Sequence, residues 1–303
     1  MRAIQYSEYG PSSVLQLFDL PAPAPVAGKL LVKVDFAGIN PIDWKVRSGG
    51  FRDFFPQTFP VIPLGEFSGT IIDTGGVPGF EPGEDVFGLA PQGAAAEQIV
   101  VDVIGIARRP ENLTQTDAGG VALAALTAWQ ALFDFGGLVA GQKVLIHAAA
   151  GGVGSYAVQF AKWAGATIYA TASEKHHEYL KLLGADEVID YQNVRFEDVV
   201  SDVDVVLSSV HGETEERSYG VLKPGGILVS VVGGGEKVPE GVRFASLRMQ
   251  PKEGQLAKIA GLIQEGHVRA STEVVLPLES IAEAQDRSEI GRTRGKIIIR
   301  VER

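Results

Sequence analysis

Residues 147–154 read HAAAGGVG, between the apolar run KVLI and the amphipathic run SYAVQFAKWAGA. A strand that enters a glycine turn and leaves as a helix constrains the fold more than any other feature of this chain. The fingerprint positions fall on Ala149, Gly151 and Gly154, an A-x-G-x-x-G variant with an extra Gly152. A side chain at Gly151 would block a ligand's approach to the backbone, and Gly154 lets the helix pack closely on the sheet. The first N–H groups of the helix, with its positive dipole end, suit an anion. Gly151, Gly152, Val153 and Gly154 are therefore expected to line the pyrophosphate of a dinucleotide.

The surrounding segments agree. From about residue 113, short β-type runs alternate with helical ones: KVLIHA, TIYATA, EVID, VDVVLSS, GILVSVV and VRFASLRM are the strands. RFEDVV and ETEERSYGVL read as helices between them, and Gly165 and Gly184 stop two other helices. Six strands with intervening helices predict a doubly wound parallel sheet of the Rossmann type. Residues 1–112 have a different texture. AIQYS, VLQLFDL, KLLVKVDFAG, FSGTIID, EDVFGLA and AAEQIVV alternate with Gly/Pro turns, and one short helix lies near PIDWKVRSG. That predicts a mostly antiparallel sheet or barrel. The end of the chain reads strand, helix, strand. The expected layout is one domain from 1–112 and 268–303, with a dinucleotide domain, 113–267, inserted.

The second strand of the inserted block indicates which dinucleotide. An acidic residue at its end would bind the ribose 2′-hydroxyl of NAD. Here that place falls to Ala172 or Ser173, in YATASEKHH. Ser173, Lys175 and His176 offer hydrogen bonds and positive charge to a 2′-phosphate, with Glu174 an awkward neighbour that has to point away. Ser173 is equally placed to cap a helix, and the two roles are compatible. The expected cofactor is NADP(H).

Composition excludes several classes. The net charge is −10, which argues against a nucleic-acid partner. There is no cysteine, hence no disulfide and no thiolate metal site. His147, His176, His177, His211 and His267 show no metal-ligand spacing, so no metal site is expected and the histidines read as fold, cofactor-pocket or surface residues. Residues 119–141 are apolar enough to resemble a membrane span. Gln130 and Asp134 interrupt them, and Leu123, Leu126, Trp129, Leu132 and Phe133 recur at the spacing of a buried soluble helix. No membrane partner is expected, and the opening MRAIQYSEYG reads as a strand without a signal-peptide core. The expected location is the cytoplasm.

With these motifs in place, the chain resembles the medium-chain dehydrogenase/reductases, in their zinc-free quinone oxidoreductase branch. AGINPIDWKVRSG, GFEPGEDVFG, LAALTAWQAL, AAAGGVG, LGADEVIDY, LKPGGILV and GRTRGKIIIRV occur in family order over nearly the whole chain. The resemblance implies a barrel-like (GroES-like) catalytic domain built from both chain ends, a cleft beside the cofactor domain that holds the nicotinamide, and a homodimer. Zinc-dependent relatives carry a Cys where this chain has Asn40, and a His before the Glu where it has Gly65-Glu66.

The same resemblance places Asn40 near the nicotinamide, Thr127 at its ribose or amide, and Tyr191 near the adenosine. Val210 and Gly233 fall on the nicotinamide side, and Arg292 and Arg294 reach toward the cofactor phosphates or lie in solvent. Asp43 follows Asn40 by one helical turn; it reads as catalytic or as a helix-start hydrogen bond. The implied activity is zinc-independent, NADPH-dependent hydride transfer to a quinone or an α,β-unsaturated carbonyl, with no side chain named as the proton donor. The competing readings are a cofactor-binding redox sensor with little turnover and an NAD-dependent alcohol dehydrogenase. Without the zinc ligands, the last is the weakest.

Overall fold

The computed structural model describes residues 1–90, 92–235 and 237–302. The chain divides into two compact units, 1–123 with 251–266 and 270–302, and 124–250 with 267–269. In the first unit, β1 (Arg2–Gln5) and β2 (Gln16–Asp19) form a small ribbon. The main sheet contains β3 (Leu30–Ile39), β4 (Glu66–Asp73), β5 (Asp85–Leu89), β6 (Gln98–Val101) and β7 (Ile106–Arg108). The C-terminal β14 (Thr272–Pro277) and β15 (Lys296–Arg300) complete it in the order β14-β15-β3-β4-β5-β7.

Strand β3 organises this sheet. One edge pairs antiparallel with β4, while the other is shared: Leu30–Lys33 pair with β6 and Phe36–Ile39 with β15. Lys33 is the one exposed residue of β3, while Leu30, Val32 and Val34, on its other face, are fully buried. They pack with Phe67, Val86, Ile297 and Ile299 in one core. Each such side chain contributes roughly 1.5–3 kcal/mol. The sheet is antiparallel apart from the parallel pair β14–β15, which α8 (Ile281–Ile290) connects.

Two buried arginines join the chain ends. Arg2 donates to Glu97 at 2.9 Å, Glu279 at 2.6 Å and the Val301 carbonyl at 3.0 Å. Arg47, at the end of α1 (Pro41–Arg47), donates to Gln285 at 2.7 Å and to the Gly10 carbonyl at 2.6 Å.

A buried ion pair closes the same unit. The Lys296 ammonium, on β15, lies 2.8 Å from Glu66 Oε1 at the start of β4, and the two side chains are 6% and 0% exposed. The ammonium also donates to the Ile39 carbonyl at 2.9 Å and to Asn40 Oδ1 at 2.5 Å. Glu66 Oε2 accepts from the Leu123 amide at 2.8 Å. Gly38 makes room: a Cβ there would overlap Glu66 Oε1 and lie 2.7 Å from the Gly119 carbonyl.

The second unit is a parallel sheet of β8 (Lys143–Ile146), β9 (Thr167–Ala172), β10 (Glu187–Asp190), β11 (Val203–Ser208), β12 (Leu222–Ser230) and β13 (Arg243–Ser246). Their order is β10-β9-β8-β11-β12-β13, that of a doubly wound dinucleotide fold with its switch point between β8 and β11. The helix α4 (Gly152–Trp163) buries Tyr156, Ala157, Val158, Phe160 and Ala161. Gly184, at φ 111°, ends α5 (His177–Leu183) in the left-handed region.

His147 leaves β8 almost fully buried, at 2% exposure, with both ring nitrogens engaged. Nδ1 lies 3.0 Å from Thr171 Oγ1, and Nε2 lies 2.9 Å from Ser218 Oγ. Ser218 donates its own proton to the Thr214 carbonyl at 2.6 Å, so toward the ring it accepts. The ring is therefore protonated on Nε2. Burial, reinforced by the charge of Arg217, pushes it down to about 4, with Glu197 partly opposing.

Some details depart from the sequence reading. RFEDVV forms only a short 3-10 turn, Phe196–Asp198, with Phe196 buried at 3% exposure. Residues 122–135 begin as α3 (Ala122–Trp129) and continue as a π-helical segment, Gln130–Phe135. Among the described residues no helix is long and apolar enough to cross a membrane. The helix α7 (Gln255–Gln264), which no sequence motif marks, belongs to the first unit and packs on β7. Asn112 donates to the carbonyl of Ile263 in α7 at 2.8 Å. The Gln115 carbonyl, in α2 (Gln115–Ala118), accepts from Ser68 at 2.6 Å. These bonds place 113–123 and 251–266 in the first unit, inward of the boundaries at 112/113 and 267/268 that the change of texture suggested.

Two stability effects are expected. Lys296→Met should destabilise by about 3–5 kcal/mol because it strands a buried carboxylate. Adding Glu66→Gln should recover much of that loss in denaturant unfolding; a double variant as unstable as the summed singles would contradict the pairing. The second effect concerns His147. The unfolded imidazole protonates near its ordinary value of about 6.5, whereas the folded one resists until about 4. Its contribution is thus fully present above about pH 6.5 and lost as pH falls toward 4, on the order of 3 kcal/mol in all. His147→Asn should flatten that part of the stability–pH curve relative to the parent chain.

Candidate functional site

The glycine turn lies at the carboxyl end of β8. Ala148 adopts φ 50°, a conformation that costs a non-glycine residue energy and recurs at ligand-binding turns. The Ala149 amide donates to Thr171 on β9 at 3.1 Å, and the Gly151 amide to the Ala148 carbonyl at 3.0 Å. Gly151 is the N-cap of α4 and supplies no side-chain acceptor. Gly151, Gly152 and Val153 are half-buried, so the first N–H groups of the helix remain available to an external anion.

The glycines serve different needs. A Cβ on Gly154 would lie 2.5 Å from Ala149 Cα and 2.6 Å from the Ala148 carbonyl, so the turn itself demands glycine there. A Cβ on Gly151 would meet only the Ala148 carbonyl, at 3.3 Å. The second glycine is thus required less by the protein than by whatever approaches the helix end. This cradle fits a pyrophosphate.

Strand β9 ends at Ala172 without an acid. Ser173 is half-buried at the N-cap of the following 3-10 turn, Glu174–His176, and makes no capping bond with its side chain. Glu174 and Lys175 are exposed, and His176 is half-buried. The acid of the next strand, Asp190, is engaged in its own turn, accepting from the Gln192 amide at 3.2 Å and from Asn193 at 2.6 Å. Tyr191 follows it, 60% exposed. Val210 lies just after β11 and Gly233, at φ 98°, just after β12, both on loops at the carboxyl edge of the sheet. Thr127 is a half-buried residue of α3, in this same unit.

The remaining site residues belong to the first unit. Asn40 caps α1 and is 4% exposed. Its amide orientation is fixed: Oδ1 accepts from Lys296, and Nδ2 donates to Glu66 Oε1 at 2.8 Å. The Asn40 backbone N–H donates to Asp43 Oδ2 at 2.7 Å, which is the helix-start bond expected of that residue. Burial pushes the Asp43 carboxyl up to about 7; Glu66 adds to this, while the Asn40 amide and Lys296 oppose it. Arg292 and Arg294 are exposed in the loop between α8 and β15. Glu66 and Lys296 form the polar centre of this corner, yet neither stood out as a pair in the sequence. The available signal was a charge at the head of each apolar strand, EFSGTII and KIIIRV.

Known proteins place the chain. Residues 26–159 match the alcohol dehydrogenase GroES-like domain, and residues 183–299 match the zinc-binding dehydrogenase family. The 2-methylene-furan-3-one reductase of Solanum lycopersicum is 32% identical, over 99% of this chain and 79% of its own length. The quinone oxidoreductase of Coxiella burnetii superposes with a TM-score of 0.91 at 32% identity, covering 100% of this chain and 99% of that one. A mycobacterial structure complexed with NADPH superposes with a TM-score of 0.85 at 26% identity, covering 99% of each chain. The six-stranded parallel sheet and the GroES-like sheet built from both chain ends are those of this group, and the chain belongs to the medium-chain dehydrogenase/reductase superfamily, in its zinc-free, quinone oxidoreductase-like branch.

Proposed function

We propose that this protein is an NADPH-dependent oxidoreductase that reduces a quinone or an α,β-unsaturated carbonyl. The observation that carries the cofactor reading is the end of β9, where Ala172 stands in place of an acid and Ser173 and Lys175 follow. An acid there would hold a ribose 2′-hydroxyl and repel a 2′-phosphate; a hydroxyl and an ammonium do the reverse. In this reading Ala149, Gly151, Gly152, Val153 and Gly154 receive the pyrophosphate on backbone N–H groups. Ser173, Lys175 and His176 hold the 2′-phosphate, and Tyr191 lies along the adenosine. Val210, Gly233 and Thr127 border the nicotinamide half, and Arg292 and Arg294 supply positive charge to the phosphates. When bound, NADPH supplies the hydride.

The chain's own groups orient the reactants more than they activate them. The Asn40 amide is held by Lys296 and Glu66, so in this proposal it acts as a fixed wall rather than as a proton donor. Asp43 supports Asn40 from the first turn of α1. Conjugated acceptors suit such a site because they delocalise the arriving negative charge themselves. The closed network around Asn40 is also the feature that favours the second reading, a cofactor-binding redox sensor with little turnover. The proposal includes a homodimer, to which the edge position of β13 lends itself.

Purified protein mixed with NADPH and a panel of quinones and enones should consume the reduced cofactor, followed by its absorbance. Binding without consumption across the panel would favour the sensor. Lys175→Ala should weaken NADPH by about tenfold, the scale of one charge-assisted hydrogen bond, and leave NADH nearly unchanged. Equal losses for the two cofactors would remove the 2′-phosphate assignment.

A further inference from the structure

Strands β11 and β12 end side by side on Ser208 and Ser230, which pair in register and are fully buried. Each serine folds its own loop back. Ser208 Oγ donates to the Val210 carbonyl at 2.9 Å, and Ser230 Oγ to the Gly233 carbonyl at 2.5 Å. After Ser230 the chain passes through Gly233, Gly234 and Gly235 at φ 98°, 108° and 87°. Three successive left-handed residues make a loop that only glycine holds without strain.

This loop closes over Glu215, in the short helix α6 (Glu213–Ser218). Glu215 is 7% exposed, and its Oε1 accepts from the Gly235 amide at 3.2 Å. A Cβ on Gly234 would lie 2.7 Å from Glu215 Oε2 and closer still to Oε1, so the carboxylate lies directly against the glycine loop. Oε2 itself is buried and has no hydrogen-bond partner among the described residues. The same holds for Ser209 Oγ, the residue after β11. A buried carboxylate oxygen without a donor is costly, and such a group at the carboxyl edge of a parallel sheet calls for a ligand. Ligands of these folds bind outside that edge, at the switch point beside β11.

We propose that Glu215 is a cofactor-binding residue of this chain: Oε1 holds the glycine loop through Gly235, and Oε2 accepts a hydrogen bond from an N–H or O–H donor on the nicotinamide riboside half of the dinucleotide. The inference rests on the NADPH reading above. A carboxylate is required because two donors must be received from opposite sides, one from the loop and one from the ligand. Glycine at 234 is required because any side chain would displace that carboxylate.

The test is a binding titration of the intact chain with NADPH and with adenosine 2′,5′-bisphosphate, which shares the adenosine half and lacks the nicotinamide riboside. Glu215→Ala should weaken NADPH five- to twentyfold and leave the bisphosphate within twofold, on the order of one lost hydrogen bond to a charged group. Glu215→Gln retains an acceptor for Gly235 but presents an amide N–H2 where Oε2 stood, so it should show the same selective loss. Equal weakening of both ligands, or no weakening, would overturn the proposal. So would a Glu215→Gln variant that binds NADPH like the parent chain, since that would leave Glu215 only as a loop anchor. Failure of the parent chain to bind either ligand would instead refute the NADPH reading, and with it this inference.

Discussion

The first unit depends on one buried cation. The Lys296 ammonium has three N–H bonds and three acceptors: the Ile39 carbonyl, Asn40 Oδ1 and Glu66 Oε1. These belong to the end of β3, the start of α1 and the start of β4, while the lysine comes from β15. Such a pair brings little net stability, because desolvating two charges offsets most of their attraction. What it brings is register. Neither charge can be left buried without the other, so β15 is held to the far half of β3 and Asn40 is held in one orientation. The partners are more than two hundred residues apart, and the pairing becomes available only after the second unit's sequence has been traversed. Arg2 and Arg47 repeat the device, since both tie the N-terminal segment to the C-terminal one through buried guanidinium groups.

The second unit treats buried polarity in two ways. Several of its buried polar groups are matched within the fold. His147 has a donor on one nitrogen and an acceptor at the other, and Ser208 and Ser230 are matched within their own loops. At the carboxyl edge of the sheet Ser209 Oγ and Glu215 Oε2 have no partner among the described residues, and Gly151 gives α4 no side-chain cap. The strained Ala148 and the three left-handed glycines lie at that same edge. Strain and unmatched polar atoms both cost stability, and those at this edge mark it as a candidate binding surface.

What was legible in the sequence followed from local rules. Short β-type runs alternating with helical ones indicated the parallel strands, glycines marked helix ends, and the turn at 147–154 announced the cradle because strand, turn and helix are contiguous. RFEDVV was misleading because six residues carry too few turns to separate a helix from a 3-10 turn. QLAKIAGLIQ has clear helical spacing, with Leu256, Ile259, Ala260, Leu262 and Ile263 buried. No motif drew attention to it, and its membership of the first unit depends on packing against β7. The Glu66–Lys296 pair was invisible because each residue alone reads as a solvated charge at a strand end. Glu215 was hidden among the three glutamates of ETEE; only the closure of the 233–235 loop distinguishes it from its exposed neighbour Glu216.

The matched network around Lys296 also bears on the chemistry. A lysine whose three donors are already engaged has none left for a substrate oxygen, and the Nδ2 of Asn40 is committed to Glu66. This corner therefore offers shape and a fixed dipole, and little electrophilic help. A simple ketone needs strong stabilisation of the alkoxide that forms at its carbonyl. A quinone or an enone spreads the incoming charge over its conjugated system and needs much less. The internal pairing that holds the catalytic fold together thus agrees with acceptors that carry their own stabilisation, and it leaves orientation of the cofactor, at the edge where Glu215 and the glycine turn lie, as the main contribution expected of the protein.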